Sequence, residues 1–373
     1  MVDYYNYSKV ILLRNASNPN SVIIKKFERK YRIKHWIYSG CKPFIIELFY
    51  HFINLDNPGS NLQWISINST RGGKFIGPWI KVPKKVKNYI DIKNVMIQLL
   101  KINNINEINS NIEEKFAYLL GFIGGDASKF GIKRKNRITR RIHIRLTKLH
   151  ITNKNLGDYI SNCMKLFGIN MNRRKDCPAG KRNPHPFYTW ISQSSMIFQW
   201  LYDVCLGLKN NELTTYHPIR ADWILKSPKY FKIAFIQGLG DSDGFNDFSA
   251  IQTGILTGPN TELVKKIFDY LNVHSCKRYF QQSNLWSLMI SIDDAYRLPV
   301  FNPEVKFYRY VQLEKLYKAE RISGHWPTWL KEKVKKYYLK GLKGTELVKK
   351  LLDEDKIIIR QKGIKNVIKK LKK

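Results

Sequence analysis

The 373 residues carry 65 Lys and Arg against 29 Asp and Glu, a formal charge of +36, with 43% hydrophobic and 13% aromatic residues. That apolar content is enough to build a core, so a disordered basic tail is excluded, and the length suggests two or three domains. The richest apolar stretch, Phe44–Leu55, is interrupted by Glu47 and His51 and falls short of the roughly 20 residues a membrane-spanning helix needs.

The segment Met1–Tyr5 shows no charged stretch leading into an apolar one, so secretion is not expected. Cys41, Cys163, Cys177, Cys205 and Cys276 are far apart and form no C-x-x-C pair, which argues against a zinc ribbon or a disulfide scaffold. A reducing intracellular setting (cytoplasm, nucleoid or organelle matrix) is expected. A surplus of positive charge this large calls for a polyanion. Nucleic acid is the expected one, because each phosphate contact releases condensed counterions; no amphipathic membrane anchor is evident.

Residues 1–110 read as an α+β accessory region. Lys9–Leu13 suggests a strand, Val22–Tyr31 a basic helix and Cys41–Leu55 a buried helix. Gln63–Asn68 alternates like a strand, Gly72–Pro83 has hairpin punctuation, and Lys101–Asn111 reads as a linker. The basic helix gives this region an expected role in DNA binding.

An internal repeat follows. Tyr118-Leu119-Leu120-Gly121-Phe122-Ile123-Gly124-Gly125-Asp126-Ala127 returns as Phe235-Ile236-Gln237-Gly238-Leu239-Gly240-Asp241-Ser242-Asp243-Gly244. Aligning Gly121 with Gly238 sets Asp126 opposite Asp243. Ser110-x-x-Glu113 reads as a capping box before the first copy, and Ser227-Pro228 as an N-cap before the second. Each copy is thus predicted to be an apolar helix ending in a carboxylate. Helix Asn153–Phe167, strand Phe187–Ser192 and helix Met196–Leu206 follow the first copy. Strand-like Phe248–Leu256, helix Thr261–Leu271, strand Leu285–Ile292 and a short helix from Asp293 follow the second. The matching order implies a duplicated α+β domain with pseudo-twofold symmetry, in halves 111–225 and 226–320.

Small residues four apart, Gly121 with Gly125 and Gly238 with Ser242, put a flat patch on one face of each helix and let the two backbones approach. Helices packed there bring Asp126 and Asp243 together at the negative ends of their dipoles, an arrangement that is costly without a cation. Carboxylate oxygens and water suit Mg²⁺, and hard cations at a phosphate backbone support hydrolysis.

Between Ala127 and His150 lie nine cations and no acid: Lys129, Lys133, Arg134, Lys135, Arg137, Arg140, Arg141, Arg145 and Lys148. Period-two alternation in Ile142–Leu146 makes this a folded basic strand with one face inward. Arg173, Arg174 and Lys175 extend the face, and Arg278 and Lys277 are the evident cations on the later strands. Phe245–Pro259 holds only Asp247 as a charge, so recognition is expected to be asymmetric between the halves. Residues 326–373 carry sixteen Lys and Arg against five acids. Predicted helices Thr328–Leu339, Thr345–Leu352 and Gly363–Leu371 fit a basic helix-turn-helix domain.

The paired segments resemble the signatures of the LAGLIDADG homing endonucleases in the single-chain, two-motif form, over roughly residues 111–300. The second copy matches at its glycines and both acids; in the first, Gly124 stands for the first acid and Ala127 for the last glycine. The resemblance implies a duplicated αββαββα fold whose two four-stranded sheets form a saddle in the DNA major groove. It further implies Mg²⁺- or Mn²⁺-dependent cutting of both strands with 3′ overhangs, by a monomer on a long asymmetric site. Asp126 and Asp243 are the implied catalytic metal ligands, with Gly125 and Ser242 beside them in the metal set. Lys175 and Lys277 are the candidate supporting cations. Three alternatives fit the same residues: a non-cleaving DNA-binding regulator, an RNA-binding intron maturase and an intein. The last is disfavoured by an end, Lys370-Leu371-Lys372-Lys373, that lacks His-Asn.

Overall fold

The computed structural model describes residues 61–69, 75–126, 142–180, 184–193, 195–208, 217–281 and 284–371. The predicted elements of residues 1–60 and the cations Lys129, Lys133, Arg134, Lys135, Arg137, Arg140 and Arg141 lie outside the described residues.

A hairpin opens the described chain. Strands β1 (Leu62–Ser69) and β2 (Phe75–Pro83) pair antiparallel; the alternation over 63–68 predicted β1, but the stretch expected to be a hairpin, 72–83, gives one continuous strand from Phe75 that pairs with β1. Helix α1 (Tyr89–Lys101) follows, where no element was predicted. Asn88 caps it, accepting from the Ile90 and Asp91 amides, while Asp91 accepts back from the Asn88 amide. The predicted linker is short and tied down: Asn103 Nδ2 donates to the Lys165 and Leu166 carbonyls at 2.7 and 2.9 Å.

Helix α2 (Ser110–Asp126) ends on Asp126. Its predicted capping box does not form. Asn109 takes the capping position, its Oδ1 accepting from the Ile112 amide at 3.0 Å. Glu113 is 2% exposed and accepts from the Tyr89 and Tyr230 hydroxyls, with Lys93 Nζ at 3.0 Å. A buried carboxylate gains more from three donors than from one backbone amide at a wet helix end. Burial alone would push this carboxyl up, but the bonds from Tyr230, Tyr89 and Lys93 outweigh it and hold the group below its usual 4.5. The unfolded chain therefore takes up the proton first as pH falls. The stabilisation is complete above pH 4.5 and fades below it. Glu113→Gln is expected to cost about 2–3 kcal/mol at pH 7 and to flatten the acid limb, as read by urea unfolding at pH 7 and pH 4.

The first sheet comprises β3 (His143–Thr147), β4 (Met171–Cys177) and β5 (Phe187–Ser192) in the order β3-β5-β4, with α3 (Asn153–Leu166) packed on its inner face. Gly157 lies against the Trp190 ring, where a Cβ would fall 2.5 Å from the ring carbons. Helix α4 (Met196–Trp200) runs into a π turn, Leu201–Cys205, so the predicted single helix changes pitch near its middle.

Helix α5 (Lys229–Asp243) ends on Asp243. The predicted Ser227 cap is not made: its hydroxyl donates back to the Ile224 carbonyl at 2.7 Å, closing the preceding 3₁₀ turn, and Pro228 precedes the helix. The predicted strand Phe248–Leu256 is instead a turn followed by β7 (Gln252–Leu256), paired with β6 (Gly244–Asp247). Asp247 makes that turn by accepting from the Ser249 and Ala250 amides at 2.8 and 3.1 Å. Then come α6 (Thr261–Tyr270), β8 (Ser275–Phe280), β9 (Leu285–Ser291) and α7 (Ile292–Arg297). The second sheet runs β6-β7-β9-β8. The β7-β9-β8 part repeats the β3-β5-β4 order of the first sheet.

A second helix missed by the sequence reading, α8 (Tyr308–Lys318), leads to β10 (Glu320–Arg321). The C-terminal helices are α9 (Thr328–Leu339), α10 (Gly344–Asp355) and α11 (Gln361–Leu371), with β11 (Ile357–Ile358) pairing parallel to β10. Gln361 N donates to the Ser249 carbonyl at 3.2 Å and Lys349 Nζ sits 5.2 Å from the Phe248 ring centre, so this unit leans on the β6–β7 turn. Among the described residues no helix is long and apolar enough to cross a membrane.

Candidate nucleic-acid and metal site

Helices α2 and α5 cross backbone to backbone. A Cβ on Gly121 would lie 2.0 Å from the Phe235 carbonyl oxygen, and one on Gly238 would lie 2.1 Å from that of Tyr118. The contact is reciprocal, each glycine meeting the other helix one turn or less before its own counterpart. The approach continues to the helix ends: a Cβ on Gly125 would fall 1.8 Å from Ser242 Oγ and 2.8 Å from Asp243 Oδ2. The last residue of α5 therefore places its carboxylate against the last turn of α2, one residue before Asp126. Asp243 also lines a cavity of about 70 Å³ with Gly124, Gly125, Thr257, Asn260 and Leu285, room for more than one water molecule.

The two copies of the motif differ at the acid preceding the last pair. Asp241 is 2% exposed and accepts from the Tyr118 hydroxyl at 2.7 Å and weakly from the Asn302 amide at 3.4 Å. Burial pushes it up to about 7, against the Tyr118 bond, the charge of Arg309 and the Asn302 bond. It clamps α2, α5 and the segment beyond α7. In the first copy Gly124 holds that position, and a Cβ there would meet only the Ile219 and Leu239 side chains, at 3.4 and 3.7 Å.

Of the predicted metal set, Asp243 is half-exposed and faces the cavity. Both oxygens of Ser242 are engaged: the hydroxyl donates to the Leu239 carbonyl at 2.9 Å, and its carbonyl accepts from Arg309 at 3.0 Å. No group of three or more His, Cys, Asp or Glu converges on a common point among the described residues. The donors that remain, carboxylate and backbone carbonyl oxygens, are those a hard divalent cation takes.

On the outer face of the first sheet, Arg145 and Arg174 flank Thr189 in one row of the register, and both are exposed. Lys175 is likewise exposed. Arg173 and Lys148 share Asp176, at 3.1 and 2.6 Å, and Arg173 also lies over the Tyr188 ring. Lys277 is paired with Glu262 on the surface.

The second sheet's outer face is closed by its own side chains, which no sequence pattern announced. Phe245 and Phe280 stand on opposite edge strands, yet their rings meet edge to face at 5.3 Å. Arg278 lies 4.9 Å from the Phe280 ring centre and bonds Asp247 on the far edge at 2.7 Å. Beneath this clasp Met289 is 1% and Ser287 0% exposed. Gly254 is required there, since a Cβ would come within 2.6 Å of the Phe245 ring and 2.7 Å of Met289 Sδ.

No protein-family model matches the chain, and no curated protein matches it. Solved structures similar to it include the homing endonuclease I-DmoI in complex with DNA and Ca, at TM-score 0.37 and 19% identity over 52% of this chain and 96% of that one. Mesophilic variants of I-DmoI align at TM-score 0.36 and 19% identity, covering 50% and 94% of the two chains. The N-terminal LAGLIDADG domain of DUF199/WhiA aligns at TM-score 0.31 and 15% identity, covering 60% and 99%.

Proposed function

We propose that the chain is a site-specific double-strand DNA endonuclease of the two-motif LAGLIDADG kind, dependent on Mg²⁺ or Mn²⁺. The observation that carries this reading is the convergence of the α2 and α5 ends, where Asp243 Oδ2 lies against Gly125 beside a small cavity. Asp126 and Asp243, with Gly125, are the residues that would hold the metal. A divalent cation bound there would supply an activated water and offset charge on the phosphate. The reciprocal glycine contacts and the shared strand order support reading 111–225 and 226–320 as a duplicated αββαββα unit. The three short helices of 326–373 and their basic surface support a helix-turn-helix that adds phosphate contacts.

DNA lies along the first sheet, where Arg145 and Arg174 are the exposed pair, while the clasped face of the second sheet contributes fewer base contacts. Reversing Arg145 and Arg174 to Glu is expected to weaken binding at least about tenfold and to erase protection of one half-site in a footprint. Equal loss on both half-sites contradicts this asymmetry.

Function is tested by selecting bound duplexes from a randomised pool, then incubating the recovered site and the DNA flanking the chain's own gene with protein and Mg²⁺. Cutting of both strands with 3′ overhangs is expected. Tight binding without scission would replace this reading with a DNA-binding regulator, and preference for structured RNA would replace it with a maturase.

A further inference from the structure

We infer that Arg309 is a positioning residue of the paired-helix site: it locks the last turn of α5 and so fixes where Asp243 stands. A helix end leaves its last carbonyls without intrahelical donors, and the macrodipole is negative there. In α5 that end also carries Asp241 and Asp243, and its last turn has no basic residue. Arg309, which follows the first residue of α8, supplies what the helix lacks. Its Nη1 lies 3.2, 2.8 and 3.0 Å from the carbonyl oxygens of Gly240, Asp241 and Ser242, the three peptide units leading into Asp243.

Arg309 is itself held in place. Its Nε lies 3.2 Å from the Tyr308 hydroxyl, and its guanidinium stands 5.3 Å from the Phe307 ring centre. Its carbonyl accepts from Asn246 Nδ2 at 2.9 Å, and Asn246 Oδ1 accepts from Thr253 at 2.9 Å. Tyr308 stacks on His150 of the first half at 4.5 Å. The brace thus spans α8, the edge strand β6 and its neighbour β7 in the second sheet, and the turn after β3. It also seats a fixed positive charge on the Ser242 carbonyl, which would disfavour that oxygen as a ligand to a cation.

The effect of Arg309 on cutting rests on the nuclease reading; its effect on the helix end does not. Full-length Arg309→Met and Arg309→Lys are compared with the unaltered chain by amide hydrogen exchange and by strand-resolved single-turnover cleavage. In Arg309→Met the amides of 240–244 are expected to exchange at least about tenfold faster while those of 116–123 hold. DNA affinity should stay within about twofold, and cleavage should slow about 100-fold, the cost of misplacing a reacting group by about 1 Å. Arg309→Lys keeps the charge without the three-carbonyl reach and is expected to recover part of the rate. Unchanged exchange overturns the inference, as does faster exchange with an unchanged cutting rate. Should Arg309→Met fail to fold, Arg309→Lys is read by the same two measurements. Should the unaltered chain cut no DNA, the nuclease reading falls and the exchange data alone decide whether Arg309 locks the turn.

Discussion

Replacing Gly238 by alanine is expected to destabilise the fold by about 3 kcal/mol or more, the upper end for overpacking. The added Cβ would meet the Tyr118 carbonyl oxygen at 2.1 Å and the Phe122 amide nitrogen at 2.6 Å. Both are backbone atoms within α2, so relief requires moving a whole helix rather than turning a side chain. Alanine improves helix propensity over glycine by about 1 kcal/mol, and here the clash wins. Gly121→Ala should behave alike, with its Cβ 2.0 Å from the Phe235 oxygen. Gly124→Ala is the control: its nearest neighbours are side-chain carbons at 3.4 and 3.7 Å, and urea unfolding should place it within about 1 kcal/mol of the unaltered chain. A Gly238→Ala protein as stable as that control would mean the helices do not meet at these glycines.

Asp126→Asn and Asp243→Asn are each expected to reduce DNA cleavage by at least about 1,000-fold while leaving binding near normal. The size of the loss follows from removing a charge that would hold the metal against the developing phosphate charge. Stability should move the other way or not at all. Each residue ends a helix, where the dipole is negative, and a neutral amide there removes the repulsion a charge would meet. The pairing of lost cutting with an unchanged or raised melting temperature separates a functional acid from a structural one. Asp241→Asn makes the contrast, since the buried Asp241 bonds Tyr118 and Asn302 and its loss should register first in stability.

The ends of α2 and α5 were legible because their signals are local: glycines one turn apart, an apolar run and a terminal acid. Glu113 was misread for the same reason. Ser110 to Glu113 fits a capping box locally, but the partner that decides its fate, Tyr230, is 117 residues away. Arg309 was invisible because its worth comes from carbonyls 67 to 69 residues earlier, and its helix buries little beyond Leu313 and Leu316. The clasp over the second sheet likewise depends on curvature that brings Phe245 to Phe280 across two intervening strands. A period-two pattern tells which residues share a face, not whether that face folds over on itself.

A cation site shared by Asp126 and Asp243 is expected at the convergence of the two helices. Its most direct measurement is anomalous diffraction from crystals of the chain bound to its selected DNA and soaked in Mn²⁺. The expected map has density within about 2.2 Å of oxygens from both carboxylates, beside the DNA backbone. Carboxylates more than about 10 Å apart, too far to share an ion at such bond lengths, or a Mn²⁺ peak touching neither, would exclude a shared site.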